Sequence, residues 1–285
     1  MRLVLLILFM SILFGGCSAT RQQSRYKANE HYHLAQAYLG NGAYHFAEQE
    51  IKKALDLVSD EARYYEFLAL IHQAQGRLPL AEQAYRLALQ QTDVPPSVLV
   101  NYSTLLLLLE RTDQAIAIVQ QVLRNPHYDK LELAYTNLGL AYLKKGALRQ
   151  KKGAPRQAAE QFRQAVEQFR IALTYQPDLP EAHYNLGLAY MRLKDREKAI
   201  LAFRKAARFR PSYVPAHFSL GEVLLETGRT DEAYLALEHV VSLGKALLKA
   251  GRTDEARLAF ERVVGLAPDS DMAMTSRKQL KLLNP

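Results

Sequence analysis

One thiol, eight imidazoles and a scatter of carboxylates are the groups in this 285-residue chain with the means to do chemistry, and their spacing disfavours most of it. Cys17 is the only cysteine, so no intramolecular disulfide can form and the fold must rest on its core. His31 and His33 are two apart, and on a helix they point to different faces, a poor start for a metal site. His31, His183 and His217 stand where a recurring pattern wants a bulky packing residue and are expected as core filler. Glu160 and Glu167 lie among arginines and read as solvated ion pairs. No nucleophile elbow, metal-ligand spacing or phosphate loop occurs, so neither catalysis nor a cofactor is expected. Amide chemistry remains. Asn101, Asn137 and Asn185 each offer a donor and an acceptor, enough to hold the backbone of an extended peptide if they line one surface.

Cys17 has a chemistry of its own, set by what precedes it. Leu3 to Phe14 is apolar except for Ser11, and Gly15-Gly16 follows. A run of about 12 residues is too short for a membrane-spanning helix, which needs about 20, and fits a signal-peptide core. Leu13-Phe14-Gly15-Gly16-Cys17 resembles the lipobox of bacterial lipoproteins, with Phe14 where Leu or Val is usual. The resemblance implies a lipid on the Cys17 thiol, removal of residues 1–16 and, from Ser18, sorting to the outer membrane of a Gram-negative cell. An ordinary secretory leader with an incidental cysteine is the alternative. Residues 17–27 are polar and read as a tether.

The elements that would position these groups are announced by self-similarity. Leu186-Gly187, Tyr190, Ala199, Phe203, Ala206 and Pro211 form a phrase that recurs as Leu34-Ala35-Tyr38 with Ala47 and Ala54, and as Leu68-Ala69 with Ala81, Tyr85 and Ala88. It resembles the tetratricopeptide pattern, which implies an all-α solenoid of antiparallel helix pairs, about 34 residues each. Units are expected near 28–61, 62–95, 96–131, 132–179, 180–213 and 214–270, closed by a capping helix over 270–283. In this pattern Asn-Leu-Gly is also a common spelling of the first helix, so the three asparagines admit a packing reading beside the binding one.

Two duplications break the period. Lys144–Gln150 is repeated at once as Lys151–Gln157, and Ala159–Gln164 is echoed by Val166–Ile171. Seven residues make nearly two helical turns with about 20° of drift, so buried faces stay in register and the fourth pair should lengthen into an extended hairpin turning at Gly153-Ala154-Pro155. Phe169 should then sit in the regular core, and Phe162 should pack near Leu143 and Ala147. Further on, Leu220–Ser242 and Leu243–Gly265 share 15 of 23 residues. That block is about three turns short of a full unit, and no proline lies between Asp231 and Ala250. One fused helix over 231–250 is expected, with Gly244 tolerated at about 1 kcal/mol.

Tyr32, Asn101, Asn137, Leu140, Lys144, Tyr184, Asn185, Leu188 and Arg192 are expected to line a partner-binding groove on the first helices. Lys145, Arg149, Lys151, Lys152 and Arg156, with Lys144, form a basic knuckle that is either a docking element or a solvated tip. The formal charge of +8 favours anionic partners, although no nucleic-acid motif appears and nucleic acid is not expected. From Tyr32 to Leu143 the chain resembles type IV pilus biogenesis lipoproteins of the PilF/PilW kind. The match includes Asn101-Tyr102, the long connection Asn125-Pro126-His127-Tyr128 and Asn137-Leu138-Gly139, while Ser103 and Glu110 replace expected glycines. That resemblance implies a pilotin, a non-catalytic outer-membrane scaffold that helps the pilus secretin assemble. A second reading is an adaptor for cell-wall hydrolases or envelope polysaccharide machinery.

Overall fold

The computed structural model describes the backbone of residues 2–283 and the side chains of residues 20–283. The leader's side chains and the Cys17 thiol lie outside the described residues. Among those described there are fourteen helices and no strand, and the protein is an all-α array of antiparallel tetratricopeptide helix pairs. The chain divides into two compact units, residues 1–118 and 119–285. The first contains α1 (Arg2–Gly40), α2 (Tyr44–Leu57), α3 (Ala62–Ala74), α4 (Leu78–Leu89) and α5 (Pro96–Leu108), and α6 (Thr112–Leu123) begins in it. The second contains α7 (Leu131–Lys151), α8 (Pro155–Tyr175), α9 (Pro180–Arg192), α10 (Arg196–Phe209), α11 (Val214–Glu226), α12 (Thr230–Lys249), α13 (Thr253–Leu266) and α14 (Asp271–Leu283).

Residues 20–27, read from their polarity as a tether, are instead part of α1. The stretch holds no glycine or proline and is rich in Arg, Gln and Lys, which are good helix formers, so nothing in it stops the helix. Its side chains are mostly exposed, and Arg21 reaches Asp60 at 3.1 Å. Ala28, the first fully buried residue described, marks where α1 begins to pack.

Local signals set the helix ends. Helices α4, α5, α8, α9 and α11 open with proline in their first turn, where the missing N–H costs nothing. The turn inside a pair runs through a left-handed residue, as at Gly153 between α7 and α8 (φ +73°). Glu110 (φ 59°) and Lys194 (φ 62°) occupy the corresponding turns, held there against the steric preference of an L residue.

Each pair closes on one contact. A Cβ placed on Gly187 would lie 2.5–2.9 Å from the Phe203 ring, so the ring rests directly on the backbone of the first helix. Gly244 meets Phe260 in the same way, and Gly221 meets Leu237. In the first unit Ala35 and Ile51 stand at the equivalent places, both fully buried in one cluster.

The extended hairpin carries this contact twice. Helices α7 and α8 have 21 residues each. Phe169 rests on Gly139 and Phe162 rests on Gly146, with ring atoms within 2.7 Å of a virtual Cβ in both cases. Gly146, lying between Leu143 and Ala147, is thus the seat for Phe162; the first copy of a duplicated glycine packs while the second, Gly153, turns. Gly244 likewise is more than a tolerated defect: α12 presents Leu237 to α11 and, seven residues on, offers Gly244 to Phe260 of α13. One 20-residue helix therefore ends one pair and begins the next.

The histidines divide. His183 and His217 are buried, and each donates from Nε2 to a carbonyl, Pro177 at 2.8 Å and Pro211 at 2.9 Å. His31 is not core filler: its side chain is 30% exposed and its Nδ1 sits 2.6 Å from Glu50 Oε2. The acidic residue facing it on α2 turns a packing position into a polar pair.

The glycine seats give a direct test. Gly187→Val forces a branched side chain into the Phe203 ring and should lower the urea-unfolding free energy by about 1–3 kcal/mol. Gly265→Ala, with nothing within 4 Å of the added methyl, should be neutral or stabilising by up to about 1 kcal/mol. Equal effects of the two would refute the seat.

Candidate functional site

In the first unit a polar cluster forms where α1, α3 and α5 line up. Asn29 Oδ1 accepts from Arg63 Nη2 and from Tyr64 OH, both at 2.8 Å. The Arg63 guanidinium lies 5.6 Å from the Tyr32 ring centroid and 5.2 Å from that of Tyr64, within cation–π range. Tyr32 also meets the Phe67 ring edge-on at 5.3 Å. Beside it Glu66, only 9% exposed, accepts from Asn101 Nδ2 at 2.6 Å and from Ser97 Oγ at 3.4 Å. Burial raises the Glu66 carboxyl above its ordinary value, and the Asn101 and Ser97 bonds offset part of that rise. Burial, then the charge of Glu66, raises the Tyr32 phenol.

Tyr32 and Asn101 thus belong to one surface, but Asn101 spends its amide on Glu66. Nothing in the repeat phrase marks Glu66, Arg63 or Asn29 as partners. The signal for Glu66 lay in α3, where a carboxylate sits one position before the buried Phe67.

In the second unit the expected groove residues separate by role. Asn185 Nδ2 donates to the Glu181 carbonyl at 2.8 Å within its own helix. Asn137 is half-buried on α7. Leu140 packs against the core cluster containing Phe169 and Leu186. Tyr184 lies tilted against the Phe203 ring at 5.7 Å and meets Tyr213 edge-on at 5.3 Å. Leu188 and Arg192, with Met191 of the same helix, line a cavity of about 250 Å³ closed by Phe203, Ser219 and Glu222. An apolar wall with Arg192 and Glu222 on it suits a peptide side chain with a polar neighbour.

The tip of the extended hairpin forms a second feature. Lys145, Arg149 and Arg156 line a cleft of about 420 Å³ that Glu160, Gln157 and Gln161 complete. Lys144, Lys151 and Lys152 are exposed, the last two in the turn region. Glu160 pairs with Arg163 at 3.3 Å on an exposed face, and Glu167 is exposed. Among the described residues no group of three or more side chains could hold a metal ion, and no helix is long and apolar enough to cross a membrane.

Comparison with known proteins agrees with this geometry. A tetratricopeptide-repeat family model matches residues 32–94, 155–214 and 234–271, and a second model of the same repeat matches 214–239. The chain belongs to the tetratricopeptide-repeat family, whose members act as protein-interaction scaffolds. Among solved structures it is similar to Pseudomonas aeruginosa PilF, with a TM-score of 0.57 at 19% identity over 91% of this chain and 99% of that one. It is similar also to PilW, a widely conserved type IV pilus biogenesis factor, with a TM-score of 0.60 at 20% identity over 87% of this chain and 97% of that one. A monomeric IFIT1 mutant solved with a capped RNA aligns with a TM-score of 0.62 at 19% identity, covering 86% of this chain and 63% of that one. Such likeness at these identities is a likeness of fold. No curated protein matches the sequence.

The buried carboxyl supplies the prediction. A group that holds its proton more tightly folded than unfolded favours the folded state at low pH, and that contribution is lost as pH rises through its raised pKa. Glu66→Gln keeps both hydrogen-bond partners and removes the charge. It should melt above wild type at pH 7.5, and the gap should narrow toward pH 4. A gap that does not change with pH would exclude Glu66 as its source.

Proposed function

We propose that this chain is a non-catalytic, lipid-anchored scaffold that assists assembly of a type IV pilus secretin at the outer membrane. The observation that carries the reading is the extent of the fold likeness to PilF and PilW, which takes in 99% and 97% of those two chains. The leader supports it independently. A lone cysteine directly after an apolar run and two glycines suits lipid attachment, and each buried CH₂ of such a lipid contributes about 0.8 kcal/mol to anchoring.

In this reading the protein works by holding a partner rather than by transforming a substrate. The first helices of the second unit present the cavity of Leu188, Met191 and Arg192, and the basic hairpin offers charge for an acidic partner segment. Charge of this kind speeds encounter more than it deepens affinity, whereas apolar anchors in a cavity set residence time.

Two outcomes check the proposal. Mass spectrometry of the mature protein should find Cys17 at the N-terminus carrying lipid, and Cys17→Ser should release the protein into the soluble envelope fraction with secretin multimers reduced. An unmodified Cys17 in the wild type removes the anchor. Deleting Lys144–Gln150 together with Ala158–Gln164 leaves Gly139 and Phe169 at the regular spacing. The shortened unit should fold with a melting temperature within a few degrees of wild type while secretin capture falls at least tenfold. Unchanged capture would take the hairpin out of the interface.

A further inference from the structure

The second unit has another cavity, on the side of α9 away from Leu188 and Arg192. Successive residues on a helix turn by about 100°, so His183, Leu186 and Tyr190 face nearly opposite to Tyr184, Leu188 and Arg192. This cavity, about 400 Å³, lies between α8 and α10 with α9 as its floor. Its volume falls within the range of small binding sites.

The lining has two features that the packing of the repeat does not require. Arg170 from α8 and Lys198 and Lys205 from α10 all border it, and no carboxylate does. Like charges are thereby held near one another: Asp195 keeps Lys198 above its ordinary value against the opposing charge of Arg170, and burial first, with the charge of Lys205 behind it, holds His183 below its own. Lys198 alone has local relief, from Asp195 at 2.6 Å. Second, the floor of Leu173, Leu186 and Tyr190 continues outward to Leu201, which is 58% exposed. His183 is 4% exposed and donates from Nε2 to Pro177, while its Nδ1 has no hydrogen-bond partner. An apolar floor with an exposed leucine at the edge, bordered by Arg170 and Lys205 and by Lys198 that shares its charge with Asp195 and the Tyr190 ring, suits an anion with an apolar part.

We propose that this outer groove binds an extended acidic peptide segment of a partner protein, with a large apolar side chain seated on Leu186, Tyr190 and Leu201 and flanking carboxylates paired to Arg170, Lys198 and Lys205. The dimensions favour an extended strand. Lys198 and Lys205 are seven residues apart on α10, roughly 10 Å along the axis, and their long side chains can meet groups about 13 Å apart, the span between residues four apart on an extended chain. Side chains alternate along such a chain, so the sequence that turns all three groups to the groove is acidic–x–apolar–x–acidic. This site is separate from the face used in the proposed function, and its occupancy does not depend on that reading.

The test uses the full chain and a fluorescein-labelled peptide Gly-Ser-Asp-Gly-Leu-Gly-Asp-Ser-Gly, with a Lys-for-Asp peptide as control. Anisotropy should show saturable binding of the acidic peptide that weakens at least fivefold between 50 and 300 mM NaCl, with none for the control. Leu201→Ser combined with Lys205→Glu, both exposed positions, should weaken binding at least tenfold with an unchanged melting curve, and Lys205→Arg should restore it beside wild-type Leu201. Arg192→Glu, on the opposite face, should leave binding unaltered. No binding at 1 mM peptide, or equal loss through Arg192→Glu, overturns the proposal. So does association with phosphatidylglycerol vesicles that the peptide cannot displace, because it assigns the cations to a membrane.

Discussion

A large side chain laid on a backbone with little or no Cβ is the contact on which the array depends. Gly187 with Phe203, Gly244 with Phe260 and Gly221 with Leu237 are each separated by 16 residues. That spacing leaves room for the end of one helix, a tight turn and the start of its antiparallel partner. A ring within van der Waals contact of the opposing backbone makes many dispersion contacts and excludes water from both helices. It also fixes their separation and register, since a side chain on the seat would drive them apart.

The two irregular segments follow from the same contact. On a helix, positions seven apart share a face to within about 20°. A seven-residue insertion in each of α7 and α8 therefore adds a second seat and a second ring without disturbing the first. The 23-residue block near the end uses the same interval differently, placing Leu237 and Gly244 on one face of α12. The helix can thus finish one pair and start another where a regular array would have turned. Duplications by two turns are absorbed because they copy the packing unit in phase.

Binding capacity is what this packing leaves over. With the cores closed by alanine, glycine and aromatic rings, the polar residues of the first helices are free of structural duty in some places and committed in others. Asn101 serves Glu66 and Asn185 serves its own backbone, so a ligand reaching them exchanges one hydrogen bond for another and gains little net energy. The cavities, which offer apolar surface to bury, and the groups of like charge, which a ligand of opposite charge would relieve, have more to gain from a ligand than the amides.

Much of the architecture was legible in the sequence because it rests on local rules. Periodic small and large residues, prolines at helix starts and glycines at turns act over fewer than about 20 residues, and a reader can align them by eye. They determine the repeat, the all-α class, the long hairpin and the fused helix. Pro155 marks Gly153 as the turning copy of the duplicated glycine, but only tertiary structure decided that Gly146 is the seat for Phe162, because that ring comes from across the hairpin. Tertiary structure decided that residues 20–27 continue a helix and that His31 faces Glu50 instead of the core. It also decided the sites. Glu66, Asn101 and Ser97 are brought together from different helices, as are Arg170, Lys198 and Lys205, and no spacing along the chain encodes proximity across separate turns of a solenoid.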